Sequence, residues 1–276
     1  MALVVNTNVH SLAAQRNLTR TMSDLETAMQ RLSSGLRINM AKDDAAGLAV
    51  AQRMEGQARG AAMAQRTIGD GISYLGIADS TLRNINDSLQ RMRELAIQAA
   101  TETYTSSDRL KMEVEFQQLR AEISGSEVRG TFNSRQVVGN SAVNVVIDSN
   151  AGRITISGGQ SVAQYFTTSL AAGGILTLSG GTGANAVSSL QMISGALEQL
   201  ASSLASVGAY QSRMEKALGN AMAVEEAQWT ARGRIMDADF AKETSRMTSA
   251  QVVQQAGVSA LAQANQIPQM ALGLLQ

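Results

Sequence analysis

The chain has 276 residues, 23 Lys+Arg against 23 Asp+Glu, 44% hydrophobic and 3% aromatic residues. This balance removes the electrostatic ground for nucleic acid or an anionic membrane surface as the main partner. With no Cys and one His, His10, it also excludes disulfides, thiolate or multi-histidine metal sites and a cysteine nucleophile.

The start, MALVVNTNVHSLAAQR, lacks the basic region and unbroken apolar core of a cleaved leader. No window holds 18 uninterrupted apolar residues, so no transmembrane helix is predicted. The only proline is Pro268, so 267 residues run without a proline helix breaker. Long helices packed through small side chains are the expected result.

The first apolar row is Leu18, Met22, Leu25, Met29 and Leu32, a heptad seam. Gly35 is a plausible C-terminal cap, and 36–47 reads as an irregular link. Asp43-Asp44 then reads as a polar link with N-capping of a helix from about residue 45. A second seam follows: Leu75, Ala78, Leu82, Ile85, Leu89, Met92, Ala96 and Ala99. Thr101–Ser107 has turn composition, and Asp108 is placed to cap a third helix over 108–124 carrying Leu110, Val114 and Leu119.

Between 137 and 189 only Asp148 and Arg153 are charged. Val143, Val145 and Ile147, the turn cluster 149–152, and Ile154 and Ile156 predict a β-hairpin. Ile175–Leu178 predicts a further strand, and the region is expected to cap the end of the helical hairpin. The longest heptad seam follows: Leu190, Ile193, Leu197, Leu200, Leu204, Val207, Gln211, Met214 and Leu218. As one helix it is about 42 Å long. Such a stripe needs partner helices along its length, either as a bundle core or as an intramolecular coiled coil with the 75–99 seam.

Residues 1–15 and 247–276 carry no Asp, Glu, Lys or Arg. The last 30 residues mix apolar side chains, among them Val252, Val253, Leu261, Leu272, Leu274 and Leu275, with seven Gln. A solvent-facing helix normally carries Lys and Glu. Both ends therefore read as surfaces built for burial together and in neighbouring copies, and a heterologous contact that does not close produces a helical filament.

The chemistry-bearing candidates do not assemble into a site. Gly180-Gly181-Thr182-Gly183 lacks the Lys of a phosphate loop, Asp237-Ala238-Asp239 lacks the rest of a calcium loop, and His10 has no catalytic company. No catalytic, metal or cofactor residue is assigned. Asn17-Leu18-Thr19 and Asn86-Asp87-Ser88 match the glycosylation pattern, which is common by chance.

Four strings carry a resemblance: RLSSGLRINMAKDDAAGLAVA (31–51), LQRMRELAIQAA (89–100), TFNSRQVV (131–138) and QQAGVSALAQANQIPQMALGLLQ (254–276). In this order they resemble the two ends of bacterial flagellins, over about 1–138 and 190–276. The resemblance implies a mainly α fold: a long antiparallel coiled-coil hairpin, paired N- and C-terminal helices and a small β-hairpin in the middle. It implies an inner-tube coiled coil from 1–35 and 237–276, rod-domain helices from 36–138 and 190–236, and a short variable region at 139–189.

The implied function is a structural subunit polymerising into the flagellar filament, exported without a cleaved leader by a type III apparatus and located outside the cell. Lack of Cys suits threading through a narrow channel. The assembly residues are expected among Leu18, Met22, Leu25, Met29, Leu32, Leu190, Ile193, Leu197, Leu200, Leu204, Val253, Leu261, Leu272 and Leu275. Implied partners are further copies, an export chaperone, the filament cap, hook-junction proteins, and the vertebrate toll-like receptor for flagellin through Arg91, Leu95 and Glu115.

The chain departs from the family pattern at Leu119-Arg120 and at its final Gln276, beside the leucines that intracellular immune receptors sense in some flagellins. Two alternative readings are a hook–filament junction protein and a flagellin-like cell-surface protein that binds polysaccharide. The latter would need aromatic stacking residues, and only Tyr165 and Phe166 lie in the variable middle.

Overall fold

A computed structural model describes residues 8–139, 142–180 and 183–273, with side chains of the last helix described to 266. The described elements are α1 (Val9–Ser34), α2 (Ala45–Ala100), α3 (Ser106–Arg129), β1 (Thr131–Phe132), β2 (Arg135–Gln136), β3 (Val143–Val146), β4 (Arg153–Ile156), α4 (Val162–Ala171), α5 (Ala184–Met236) and α6 (Phe240–Gly273). They fall into two compact units. One comprises residues 58–226, and the other comprises 1–57 with 227–276.

The 58–226 unit contains the extended core. Every member of the 75–99 seam is fully buried. The buried row also reaches further back than its leucines show, through Ala61, Ala64, Ile68 and Gly71 at the same 3,4 spacing. Its partner is α5, which runs antiparallel. Gln65 Nε2 donates to Glu225 Oε2 at 2.6 Å, a Cβ at Gly71 would lie 3.7 Å from Met214 Cε, and one at Gly183 would lie 2.5 Å from the Ala100 carbonyl oxygen. The expected antiparallel helical hairpin is therefore present.

On α5 the residues buried in this unit, Met192 apart, form two rows. One is Ala186, Ile193, Leu200, Val207, Met214 and Ala221; the other is Ser189, Ala196 and Ser203. The expected second row, Leu190, Leu197, Leu204 and Leu218, is only half-buried and packs on the flank of this core. The small row packs on the middle of the chain, where Ser203 meets Gly159 and Gln160 and Ser189 bonds the 175–177 backbone, and the leucines lie at the edge of the core.

The third helix begins at Ser106, not Asp108. Thr105 is the N-cap, and Asp108 is the reciprocal partner of a capping box, its carboxylate accepting from the Thr105 hydroxyl at 2.7 Å. That bond holds the Asp108 carboxyl below the usual range. Leu110 and Val114 are exposed; the helix instead buries Arg109, Phe116, Ile123 and Glu127. The face is set at seven-residue spacing by Arg109, Phe116 and Ile123. Arg109 Nε donates to the Ala99 carbonyl at 2.9 Å, tying the end of α2.

The predicted β-hairpin is β3–β4, antiparallel, with Val145 opposite Ile154 and Val143 opposite Ile156. It lies along α2 rather than capping the end of the helical hairpin. Thr67 Oγ1 donates to the Val146 carbonyl at 2.6 Å, and a Cβ at Gly71 would stand 3.1 Å from Val145 Cγ2. Only glycine permits that approach without displacement.

Ile175–Leu178 forms no strand. Its backbone is satisfied by side chains: Thr177 N donates to Ser189 Oγ at 2.9 Å, and Leu178 N donates to the Glu113 carboxylate. Leu176 and Leu178 are buried there. A ten-residue helix absent from the sequence-based expectation, α4, sits in this segment. Ser161 caps it, accepting from Gln164 N at 2.9 Å. Glu127 accepts from Ser161 Oγ and Val162 N, both at 2.6 Å, and from Ala163 N at 3.1 Å. An acceptor carboxylate at a helix N-terminus meets free amides and a favourable dipole.

Candidate functional site

The unit built from the two chain ends is organised differently. Its foundation is a short crossing of the chain: Arg37 N donates to the Met236 carbonyl at 2.6 Å, and Ala238 N donates to the Gly35 carbonyl at 2.9 Å. Beneath it lies a small core of Ile38, Ala51 and Met236, flanked by Leu36, Leu48 and Ile235. Gly35 ends α1 with φ +72°, its N–H donating to the Arg31 carbonyl at 2.9 Å, as the sequence predicts.

The adjacent carboxylates divide the next turn. Asp43 accepts from Asn39 N and Met40 N, which hold it below its ordinary pKa, and Asp44 Oδ1 accepts from Gly47 N at 2.8 Å as the α2 cap. Both are structural. Glu55 pairs with Arg232 Nε at 3.3 Å on the start of α2 and the end of α5.

From this base α1 and α6 run antiparallel. Glu243, 4% exposed, faces Arg31 Nη1 at 3.3 Å and Arg246 Nη1 at 2.9 Å near one end. A Cβ at Gly257 would lie 3.2 Å from Leu18 Cδ1 midway. Asn8 closes the other end, where its Oδ1 caps α1 by accepting from Ser11 N at 3.1 Å and its Nδ2 donates to the Ala264 carbonyl at 2.8 Å. Ser11 Oγ donates to Asn265 Oδ1 at 2.8 Å beside it. The pairing of N- and C-terminal helices expected from the sequence is present over the described length.

This pair leaves much of its apolar surface uncovered. Leu18, Leu25, Leu32 and Leu261 are half-buried. Met22 and Met29, expected in one seam with them, are 51% and 48% exposed, as are Val9, Leu12, Phe240, Val252, Val253 and Val258 to similar degrees. The α1 heptad therefore divides: one row lies against α6 and the other faces outward. Leu274 and Leu275 lie outside the described residues, and so does the side chain of Leu272. The expected assembly residues on α5 are distributed otherwise. Ile193 and Leu200 are core, with Leu190, Leu197 and Leu204 on its flank. All five pack in or against the core of the 58–226 unit.

Sequence reasoning missed Glu243, Arg31 and Asn8 as the residues that join α1 to α6. No local pattern pairs positions more than two hundred residues apart. Among the three residues singled out for receptor contact, Leu95 is buried at 2%. Arg91 and Glu115 are exposed and bonded, Nε to Oε1 at 2.7 Å, with Glu94 Oε2 at 3.0 Å from Arg91 Nη1. Phe166 is buried, and Tyr165 packs edge-on against it at 6.1 Å. The variable segment thus offers one half-buried aromatic instead of a stacking platform for a polysaccharide. Among the described residues no group of three or more His, Asp and Glu is placed to hold a metal, and no helix is long and apolar enough to cross a membrane.

A large core closed within residues 58–226 and a terminal helix pair with exposed apolar side chains suit a subunit of an assembly. Family comparison gives the class a name. Residues 5–143 match the bacterial flagellin N-terminal helical region and 190–275 match the C-terminal helical region. Over 99% of this chain and 100% of its own length, a flagellin of Halalkalibacterium halodurans is 36% identical. A flagellar filament 33 kDa core protein of Treponema phagedenis is 35% identical over the same shares. Flagellin A of Vibrio cholerae is 30% identical, with both chains covered in full. The chain belongs to the bacterial flagellin family and is a structural subunit of the flagellar filament.

Proposed function

We propose that polymerisation proceeds through the α1–α6 pair, with residues 1–35 and 237–276 forming an inner coiled-coil tube. Residues 36–138 and 190–236 supply the rod helices outside it, and 139–189 is the short variable portion. The observation that carries this reading is the exposure of Val9, Leu12, Met22 and Met29 on α1, together with Val252, Val253 and Val258 on α6. Most of these lie in segments without charge, and an exposed apolar surface of that extent marks an interaction site. Two helices alone cannot bury all their apolar faces; neighbouring copies can.

The same surface must be shielded before assembly. A helix-binding export chaperone on the C-terminal segment, a filament cap and hook-junction proteins are the partners this reading requires. Export without a cleaved leader and display of Arg91 and Glu115 to an innate immune receptor belong to the same reading. Leu95, inside the core, would act there by positioning α2 and not by contact.

The test is deletion of about 20 residues from either end. The expected product is a folded monomer that does not polymerise after seeding or salting-out. Filaments of normal appearance under electron microscopy would refute the assignment of the ends.

A further inference from the structure

We infer that Met22 and Met29 form an oxidation-sensitive site that decides whether a free subunit can enter the polymer. This rests on the α1–α6 pair being the polymer contact. Both residues lie on one face of α1, seven positions and about 10.5 Å apart along the helix axis. They are 51% and 48% exposed in the free chain, whereas Met92 and Met214 in the closed core are fully buried. A thioether sulfur in solvent is open to a hydroperoxide. With hydrogen peroxide, one sulfur lone pair attacks a peroxide oxygen, the S–O bond forms as the O–O bond breaks, sulfur loses two electrons, and the proton of the attacked oxygen passes to the departing hydroxide, which leaves as water.

Each event replaces a flexible apolar side chain by a polar sulfoxide. In the free monomer the sulfoxide remains hydrated, so the fold is undisturbed. In the polymer it must be buried against a neighbouring copy, where an unpaired polar group lowers association on the order of tenfold per residue. Once polymerised, the same contact excludes peroxide from both sulfurs. Damage is thereby confined to subunits before incorporation, and methionine sulfoxide reductases can restore them.

The test uses the full-length monomer treated with hydrogen peroxide to partial conversion, then seeded. Polymer is sedimented, and sulfoxide at each Met is quantified by peptide mass spectrometry in pellet and supernatant. We expect sulfoxide at Met22 and Met29 to be depleted about tenfold in the pellet, while sulfoxide at the exposed Met63 and Met222, in the other unit, partitions evenly. Equal sulfoxide at Met22 and Met29 in both fractions overturns the inference. So does a Met22→Leu/Met29→Leu chain that polymerises before peroxide and loses polymerisation after it as wild type does. Because the partition is read within wild-type protein, it stands even if that variant assembles poorly. Filaments formed by end-deleted chains would instead refute the underlying contact.

Discussion

Glu243→Gln is the sharpest probe of the terminal pair, because it keeps the shape of the side chain and removes its charge. The carboxylate stands between Arg31 at 3.3 Å and Arg246 at 2.9 Å, with its own side chain only 6% exposed. The two arginines are unequal: the Arg246 side chain is 53% exposed and that of Arg31 is 21% exposed. The solvated branch contributes roughly 0.2–1 kcal/mol. Breaking a fully buried pair costs about 3–5 kcal/mol, and partial hydration of Arg31 reduces this. Together the substitution should weaken α1–α6 docking by about 1–3 kcal/mol. In the monomer that corresponds to roughly 5- to 150-fold faster amide exchange in the second half of α1, with the 58–226 unit unaffected. Arg246→Gln should produce only the small solvated share. The reasoning fails if the two substitutions give equal losses, or if exchange in α1 ignores Glu243→Gln.

Two further predictions test the closed core and the acid limb. Leu200→Ala, at a fully buried position, should destabilise the 58–226 unit by about 2–5 kcal/mol in urea unfolding, whereas Leu110→Ala, on the exposed face of α3, should stay within about 0.5 kcal/mol; similar losses would contradict the assigned face. The Asp108 carboxyl sits below its ordinary 3.8, so the unfolded chain binds its proton more readily. Its contribution is complete above that value and disappears as pH falls through the lower folded value. Asp108→Asn should therefore make the urea midpoint less sensitive to acidification below about pH 4 than in wild type, and an unchanged pH profile would remove the capping box from the acid response.

The helical hairpin was legible because Leu, Ile and Met recur at 3,4 spacing from Leu75 to Met92 and from Leu190 to Met214. What bulk alone misplaces is the row that packs on the middle of the chain. Ser189, Ala196 and Ser203 are buried, while Leu190, Leu197 and Leu204 lie beside them. A seam ranked by side-chain size selects the flank, since the small residues register only once a partner backbone is present. The α3 face failed for a related reason, because buried Arg109 and Glu127 anchor carbonyls and amides supplied by distant segments. The start of α4 was readable: Ser161 followed three residues later by Gln164 is a capping-box sequence. Its low charge and flanking glycines resemble those of the neighbouring hairpin, and period alone did not separate them.

Comparison of the two heptad systems explains why one is closed and the other open. On α5 the rows beyond α2 have cover from the middle of the chain. Ser203 meets Gly159 and Gln160, Ser189 Oγ bonds with the 175–177 backbone, and Met192 abuts Gly174. That segment removes a second face of the helix from water within one subunit. Within the unit of the chain ends, α1 and α6 pack chiefly on each other. Their uncovered rows, Met22 and Met29 on one helix and Val252 and Val253 on the other, have the same apolar character without an intrachain cover. Residues 142–180 thus cover on α5 a face that stays open on α1 and α6, which supports the proposal that polymer contacts form at the chain ends. Apolar substitutions on the α5 flank should consequently change subunit stability, while those at Met22 or Val253 should change assembly and leave the monomer's unfolding curve in place.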